Sequence, residues 1–202
     1  MATPFVVRAQ ADGRPVLGGH DSMNVGSLTF DGARAVSPTD LKRVIFTRAS
    51  SCRLILIAPL CKLSASQLFI DRRRTTPEAL GKDIASLRAY YVSRGYRDAV
   101  VDTLLRPSRR GIAVTFRIVE GEPMRIGSLE VRQRTTVLSD AELSRAVALQ
   151  EGDPLSLVAL DTTLARLRAA AWNHGYGDVQ VDTTITRLDS AHRVALRIDV
   201  DP

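Results

Sequence analysis

One nine-residue stretch of this chain occurs twice with little change, and this repetition constrains the fold more than any other feature. The sequence GYRDAVVDT at 95–103 returns as GYGDVQVDT at 175–183, an offset of 80 residues (175 minus 95). The same offset aligns SLRAYYVSRGY with RLRAAAWNHGY immediately upstream, without a gap. A chain of 202 residues is long enough for two domains of about 100 residues. We therefore predict two copies of one folding unit.

Each copy contains the pattern of a long amphipathic helix that ends at a glycine. Apolar residues recur at spacings of four, three and four, which places them on one helical face. Gly95 and Gly175 follow these runs where a helix favours a left-handed residue, and Tyr96 and Tyr176 are placed to fold back onto the last turn. These four residues are predicted to end the helices. The apolar positions are Leu80, Ile84, Leu87 and Tyr91 in the first copy, and Leu160, Leu164, Leu167 and Ala171 in the second.

After each glycine the pattern changes from helical spacing to alternation, which predicts two strands joined by a turn. One face of the first strand is expected to be buried and the other to face solvent or a partner. The predicted inward residues are Ala99, Val101, Thr103 and Leu105, and Val179, Val181, Thr183 and Ile185. The predicted outward residues are Val100, Asp102, Leu104 and Arg106, and Gln180, Asp182, Thr184 and Thr186.

The two copies also open alike, but at a different spacing. VGSLTF at 25–30 resembles IGSLEV at 126–131, an offset of 101, so the first unit holds 21 extra residues (101 minus 80). Helix-start signals follow at Ser37 and Ser139, and predict a short first helix. Each unit therefore reads strand, short helix, long helix, strand, strand. The extra residues are assigned to an insertion at about 48–76, and the joint between the units is short enough to predict a restrained hinge.

The two cysteines of the chain lie in this insertion. Cys52 and Cys61 flank an apolar segment, and no histidine lies near enough to complete a set of zinc ligands. A disulfide would suit an oxidising compartment, whereas in the cytosol the two thiols would stay reduced and buried. We expect the disulfide and no metal.

Composition and motifs argue against several other functions. The net charge of +6 is spread along the chain, and with only ten aromatic residues (five Phe, four Tyr, one Trp) it does not form a nucleic-acid-binding stripe. His20, His174 and His192 have no partners at the spacing of a catalytic triad, and no phosphate-binding or dinucleotide-binding loop is present. No apolar run is long enough for a membrane-spanning helix, and no intact secretory signal is recognisable. We expect no catalysis and no cofactor.

The openings GSLTFDG and GSLEV, the joints RGYRDAVVDT and HGYGDVQVDT, and the ending VTFRIVEGEP together resemble polypeptide-transport-associated (POTRA) domains of the Omp85 family. The resemblance covers about 25–202 and implies an α+β fold of two tandem domains. Each would have β-α-α-β-β order, with a three-stranded mixed sheet covered on one face by two helices. The predicted boundaries are a flexible tail at 1–24, domain 1 at 25–121 and domain 2 at 122–202.

The resemblance also implies a function. Such domains lie in the periplasm of Gram-negative bacteria, attached to the outer membrane and followed in the chain by an outer-membrane barrel. The implied partners are unfolded outer-membrane or secreted proteins and accessory assembly proteins, captured by pairing with an edge strand. The strand after each GY is the candidate edge. The alternative is a scaffold that docks folded partners, as in two-partner secretion or division-type proteins, with nucleic-acid binding less favoured.

Overall fold

The structure, a computed structural model, describes residues 22–52, 70–188 and 192–202, which include nine strands and four helices. No helix in this part of the chain is long and apolar enough to cross a lipid bilayer. The strands are β1 (Met23–Asp31), β2 (Ser51–Cys52), β3 (Ile70–Asp71), β4 (Arg74–Thr75), β5 (Val100–Ser108), β6 (Gly111–Val119), β7 (Arg125–Gln133), β8 (Gln180–Leu188) and β9 (Arg193–Asp201). The helices are α1 (Pro38–Val44), α2 (Pro77–Val92), α3 (Asp140–Ala146) and α4 (Leu157–Asn173).

The predicted α+β fold is confirmed, with one difference in the first sheet. The second unit, β7 to β9, has three strands in the order β7-β9-β8, with β7 parallel and β8 antiparallel to the central β9. The first unit, β1 to β6, repeats this arrangement as β1-β6-β5 but adds β4 beside β1. The prediction of three strands was wrong there, because the insertion returns along the open edge of β1 before α2 begins.

Each unit has its own hydrophobic core, formed where the two helices cover the inner face of the sheet. The first core includes Leu87 and Phe116, both fully buried, and the ring of Phe116 stacks on Phe30 at 5.7 Å. The second core includes the fully buried Leu167 and Ile198. Complete burial of such side chains contributes about 2 kcal/mol each, so each unit has the apolar packing of a domain.

Each helix-ending glycine has the left-handed backbone that its position requires. Gly95 has a φ of +93° and Gly175 a φ of +88°. The N–H of Tyr96 donates to the carbonyl of Tyr91, and the N–H of Tyr176 makes the equivalent bond, 3.1 Å long, to Ala171. These bonds satisfy carbonyl groups that the end of a helix leaves free.

The EG sequence that closes the first unit has a structural role that sequence analysis did not assign. The hydroxyl of the buried Tyr91 donates to Glu120 Oε1 at 3.0 Å, and the same oxygen accepts the N–H groups of Arg34 and Ala35. Burial, together with the hydrogen bond to Glu120, raises the pKa of Tyr91 above its usual value. The carboxylate thus joins the end of β6, the helix α2 and the loop after β1.

A buried polar residue on each long helix holds the chain that leaves the short helix. Asp83 is fully buried, and its two carboxylate oxygens accept the N–H groups of Phe46 and Thr47 at 2.7 and 3.0 Å. At the repeat-equivalent position the buried Thr163 accepts the N–H of Ala148 at 3.0 Å. Sequence analysis missed both residues, although a polar residue beside an apolar helical position in both copies was a usable signal.

The first half of β7 is covered by the loop that leads into α4. Gly152 N–H donates to the Ile126 carbonyl at 2.7 Å, and Ile126 N–H donates to the Asp153 carbonyl at 2.9 Å. Two adjacent residues of the chain therefore cover the edge of this strand.

The insertion of the first unit separates the two residues that make the corresponding bonds. Ser50 N–H donates to the Val25 carbonyl at 2.9 Å, and Val25 N–H donates to the Arg73 carbonyl at 2.8 Å. The chain at 51–72 therefore leaves and rejoins the edge of β1, starting and ending as the antiparallel ribbon of β2 and β3. Cys61 lies outside the described residues, so the disulfide with Cys52 stays a prediction.

The two units meet at a short joint made by backbone hydrogen bonds. Met124 N–H donates to the Gly95 carbonyl at 2.8 Å, and the Met124 carbonyl accepts the N–H of Leu155 at 2.7 Å. The carbonyl of Ser93 accepts the N–H of Leu157 at 2.8 Å. The start of the second unit is thereby bonded to the residues at and just after the end of α2.

Glu142, in the first turn of α3, has a strongly lowered pKa. Glu142 accepts hydrogen bonds from both the N–H and the hydroxyl of Ser139, at 2.9 and 2.6 Å, and pairs with His174 Nε2 at 2.7 Å. These hydrogen bonds, that of the Ser139 hydroxyl first, lower the pKa of Glu142 to about 2. The carboxylate therefore ties the start of α3 to the end of α4.

This pKa predicts a pH-dependent contribution to stability. A carboxyl group with a lowered pKa stabilises the fold above its ordinary value of 4.5, and this contribution is lost as the pH falls through about 2. We expect Glu142→Gln to lower the melting temperature at pH 7 and to differ progressively less from the unchanged protein between pH 4.5 and pH 2. Thermal melts followed by circular dichroism would measure this, and a difference that did not change with pH would contradict it.

Candidate functional site

The strand after each helix-ending glycine lies at an open edge of its sheet. Among the residues that the structure describes, β5 pairs only with β6, and β8 pairs only with β9. An edge strand exposes backbone N–H and carbonyl groups that a further extended chain can pair with. These two edges are the candidate sites.

The side chains predicted to face outward lie mostly in solvent. Val100 is 59% exposed and Leu104 is half-buried. The six others are exposed: Asp102, Arg106, Gln180, Asp182, Thr184 and Thr186.

The predicted inward alternation fails along the outer half of both strands. Leu105 is 40% exposed and Ile185 is 43% exposed, although both were expected to be buried. Their neighbours on the central strands, Val114 and Leu196, are fully buried. The helices lie over the central strand of each sheet more than over its outer strand. Side chains that point towards the helices are therefore more exposed on the outer strand than on the central one.

The backbone groups that face the open edge belong to the residues that alternate with those whose side chains were predicted to face outward. A two-residue turn makes Ser108 and Gly111 the hydrogen-bonded pair that closes the first hairpin, and such pairs then alternate along an antiparallel ladder. Every second residue back from Ser108 is therefore bonded to β6. The residues between them direct their backbone groups away from β6, and they are Val101, Thr103, Leu105 and Pro107. At the equivalent positions of β8, the residues that direct their backbone groups away from β9 are Val181, Thr183, Ile185 and Arg187.

Two features reduce the number of free donors along β5. Pro107 has no N–H, and it occupies an outward-facing position, where a sheet tolerates proline. Thr103 N–H donates to the carboxylate of its neighbour Asp102 at 2.7 Å. A chain approaching this edge would have to displace that carboxylate and would find no donor at Pro107.

The edge of β8 is more open. Arg168, on α4, donates to the Val181 carbonyl at 3.0 Å and so occupies the first outward acceptor. Beyond it, no side chain among the described residues bonds to the outward backbone groups of Thr183, Ile185 and Arg187. This edge presents three consecutive donor and acceptor sets with no proline among them.

The sheet face that the helices leave uncovered is largely polar. The hydroxyls of Thr29 and Thr115 bond across β1 and β6 at 2.9 Å. In the second sheet the ion pairs Arg132–Glu130 and Arg197–Asp199 lie on the equivalent strands, at 2.7 and 3.0 Å. An exception is the directly paired Val100 and Val119, 59% and 66% exposed. The polar side chains of this face are paired with one another and need no partner to cover them. The strand edges are therefore the better candidates for binding.

The titratable residues of the described segments form no constellation that suggests catalysis. His192 lies 3.7 Å from Asp98 and 3.6 Å from Glu122, at the joint between the units. Among residues 22–52, 70–188 and 192–202, no three His, Cys, Asp or Glu side chains are grouped as metal ligands. These contacts connect structural elements.

One family model matches most of the chain. The family described as "POTRA: Surface antigen variable number repeat" matches residues 23–121 and 124–202. A protein of Treponema pallidum (strain Nichols), named as an outer membrane protein assembly factor, is 27% identical over 159 residues. That similarity covers 75% of this chain and 17% of the relative, so the chain corresponds to a small part of that protein's length.

Solved structures of the same kind are similar at low identity. POTRA1-2 of the periplasmic domain of Omp85 from Anabaena is 18% identical, with a TM-score of 0.41, over 88% of this chain and 95% of that chain. BamA POTRA3-5 of Haemophilus influenzae is 15% identical, with a TM-score of 0.37, over 93% of this chain and all of that chain.

Proposed function

Because this chain belongs to the POTRA family, we propose that it is the POTRA portion of an outer-membrane protein assembly or translocation factor. In this role it binds extended segments of unfolded client proteins at its open sheet edges, without catalysis. The name of the Treponema relative supports the assembly role, and the open edge of β8 is the observation that carries client binding.

The edge of β8 suits clients of many sequences. An added strand would pair its own N–H and carbonyl groups with those of Thr183, Ile185 and Arg187, and main-chain pairing places few demands on client side chains. The threonine-rich strand offers β-branched side chains, which pack well against a neighbouring strand. β5 is the weaker edge because Asp102 and Pro107 restrict it, and accessory proteins are its proposed partners.

The proposed location is the periplasm of a Gram-negative bacterium, with attachment to the outer membrane. The name of the Treponema relative, an outer membrane protein assembly factor, supports this location. A disulfide between Cys52 and Cys61 would form readily in that oxidising compartment.

Ile185→Pro tests this proposal at the middle of the β8 edge. Proline removes the outward N–H and places its ring against an incoming strand, while the bonds from β8 to β9 remain, as they do beside Pro107 in β5. We expect the affinity for a labelled peptide of about ten alternating apolar and polar residues, the pattern of a barrel strand, to fall about tenfold. Fluorescence anisotropy with the full 202-residue chain would measure the dissociation constant.

Ile185→Ala is the matched control, because it shortens the side chain and keeps the N–H. We expect its affinity to stay within about threefold of the unchanged protein, since main-chain pairing is retained. Equal affinity of the proline and alanine variants would contradict pairing at β8. No peptide binding by the unchanged protein would contradict the proposed client binding as a whole.

A further inference from the structure

The end of α2 is a docking surface that the second unit already occupies. Gly95 is buried, and a Cβ placed on it would lie 3.1 Å from the backbone N and O of Leu155 and 3.2 Å from the carbonyl of Met124. The carbonyls of Ser93 and Gly95 accept the N–H groups of Leu157 and Met124. The surface thus consists of a left-handed glycine, which allows close approach, and two backbone acceptors beside it.

The end of α4 presents the same surface without an occupant. Gly175 has nearly the same φ as Gly95, yet nothing in the described part of the chain lies within 4 Å of a Cβ placed on it. Residues 92–96 are buried or half-buried, whereas the equivalent residues 172–176 are all exposed. Trp172 is 68% exposed and Tyr176 is 37% exposed. No backbone N–H in the described segments donates to the carbonyls of Asn173 or Gly175, which correspond to Ser93 and Gly95.

We propose that the surface at 172–176 docks the start of a third unit of the same kind, in the way that the second unit docks on the first. Two groups of that unit would bond to it: an N–H equivalent to that of Met124 would donate to Gly175, and one equivalent to that of Leu157 would donate to Asn173. The exposed Trp172 and Tyr176 would gain cover from the same segment, which favours a protein occupant over solvent.

The repeat also places the entry point of such a unit. The pairing of β9 with β7 and β8 places Leu196 where Val114 lies in the first unit, an offset of 82 (196 minus 114). Pro202 therefore corresponds to Glu120, and the fourth residue of any chain continuing beyond Pro202 would correspond to Met124. β9 ends at Asp201, as β6 ends at Val119, so a continuing chain would leave the second sheet at the equivalent point. A third unit entering here would meet the surface in the register that the first joint uses.

Extending the chain tests this docking directly. Appending a copy of residues 121–202 after Pro202 reproduces the spacing of the first joint, and Phe in place of the copied tryptophan leaves Trp172 as the single tryptophan. We expect a blue shift of its emission and a fall of about twofold in its acrylamide quenching, because docking covers a side chain that is 68% exposed in the 202-residue chain. Unchanged quenching beside a folded third unit, verified by NMR, would overturn the proposal.

Two glycine variants of the extended protein separate docking from local strain. Gly175→Ala introduces a Cβ where the third unit would approach, so the quenching of Trp172 should return to the value of the 202-residue chain. Gly152→Ala is the control, because Gly152 has a φ of +89° and no described residue lies within 4 Å of its Cβ position, but it lies in the loop before α4 and not in the surface at 172–176. Equal quenching in the two variants would also overturn the proposal.

Discussion

Asp83→Ala is expected to lower the free energy of unfolding of the first unit by about 3 kcal/mol, because two backbone N–H groups lose the carboxylate oxygens that accept them. Asp83 is fully buried, and its carboxylate accepts the N–H groups of Phe46 and Thr47. Alanine has no side-chain oxygen that could accept either N–H group. Urea unfolding followed by NMR signals of the first core would measure the loss.

The repeat supplies the control for this prediction. Thr163→Ala removes one acceptor at the equivalent place in the second unit, and should cost about 1 kcal/mol. Asp83→Thr offers one oxygen in place of two and should fall between the unchanged protein and Asp83→Ala. If Asp83→Ala cost no more than Thr163→Ala, the carboxylate would not be holding the loop.

Gly95→Ala is expected to weaken the joint between the units and to cost about 3 kcal/mol. A left-handed alanine costs about 1 kcal/mol, and the added Cβ, 3.1 Å from the backbone of Leu155, would separate Met124 from the Gly95 carbonyl and weaken bonds worth about 1 kcal/mol each. Denaturation would measure the loss of stability. Backbone ¹⁵N relaxation would show the two units tumbling more independently.

Gly175→Ala in the 202-residue chain separates the strain from the contact. Its φ of +88° imposes the same backbone strain, but its Cβ would meet nothing within 4 Å in the described part of the chain. We expect a cost of about 1 kcal/mol and no change in relative tumbling. Equal effects of the two substitutions on tumbling would show that contact at Gly95 does not hold the joint.

Much of the fold was predictable because its signals are local. Helical spacing, alternation and a glycine stop depend on residues within one element, and they occur in the same order in both copies. The order strand, helix, helix, strand, strand followed from them, and the structure confirms the α+β fold. The strand β4 was not predictable, because it forms only when the end of the insertion meets the edge of β1, a contact between residues far apart in the chain.

The difference between the two open edges could not be predicted from the sequence. Both copies contain the tripeptide VDT, yet only Asp102 bonds to the N–H of the following threonine in the described structure. Asp102 lies opposite Arg117 on the neighbouring strand, whereas Asp182 lies opposite Asp199. The two aspartates thus have different cross-strand neighbours, and the same three residues form a restricted edge in β5 and a more open one in β8.

The sequence alone determined the repeated unit, its element order and the left-handed glycine at each helix end, because backbone conformation and amphipathic spacing are properties of the local chain. The tertiary structure decided what those glycines contact. Gly95 lies against the backbone of the second unit, whereas Gly175 faces open space within the described part of the chain, although their sequence signals are alike. Packing between units depends on which surfaces meet in three dimensions, and a local pattern carries no information about that.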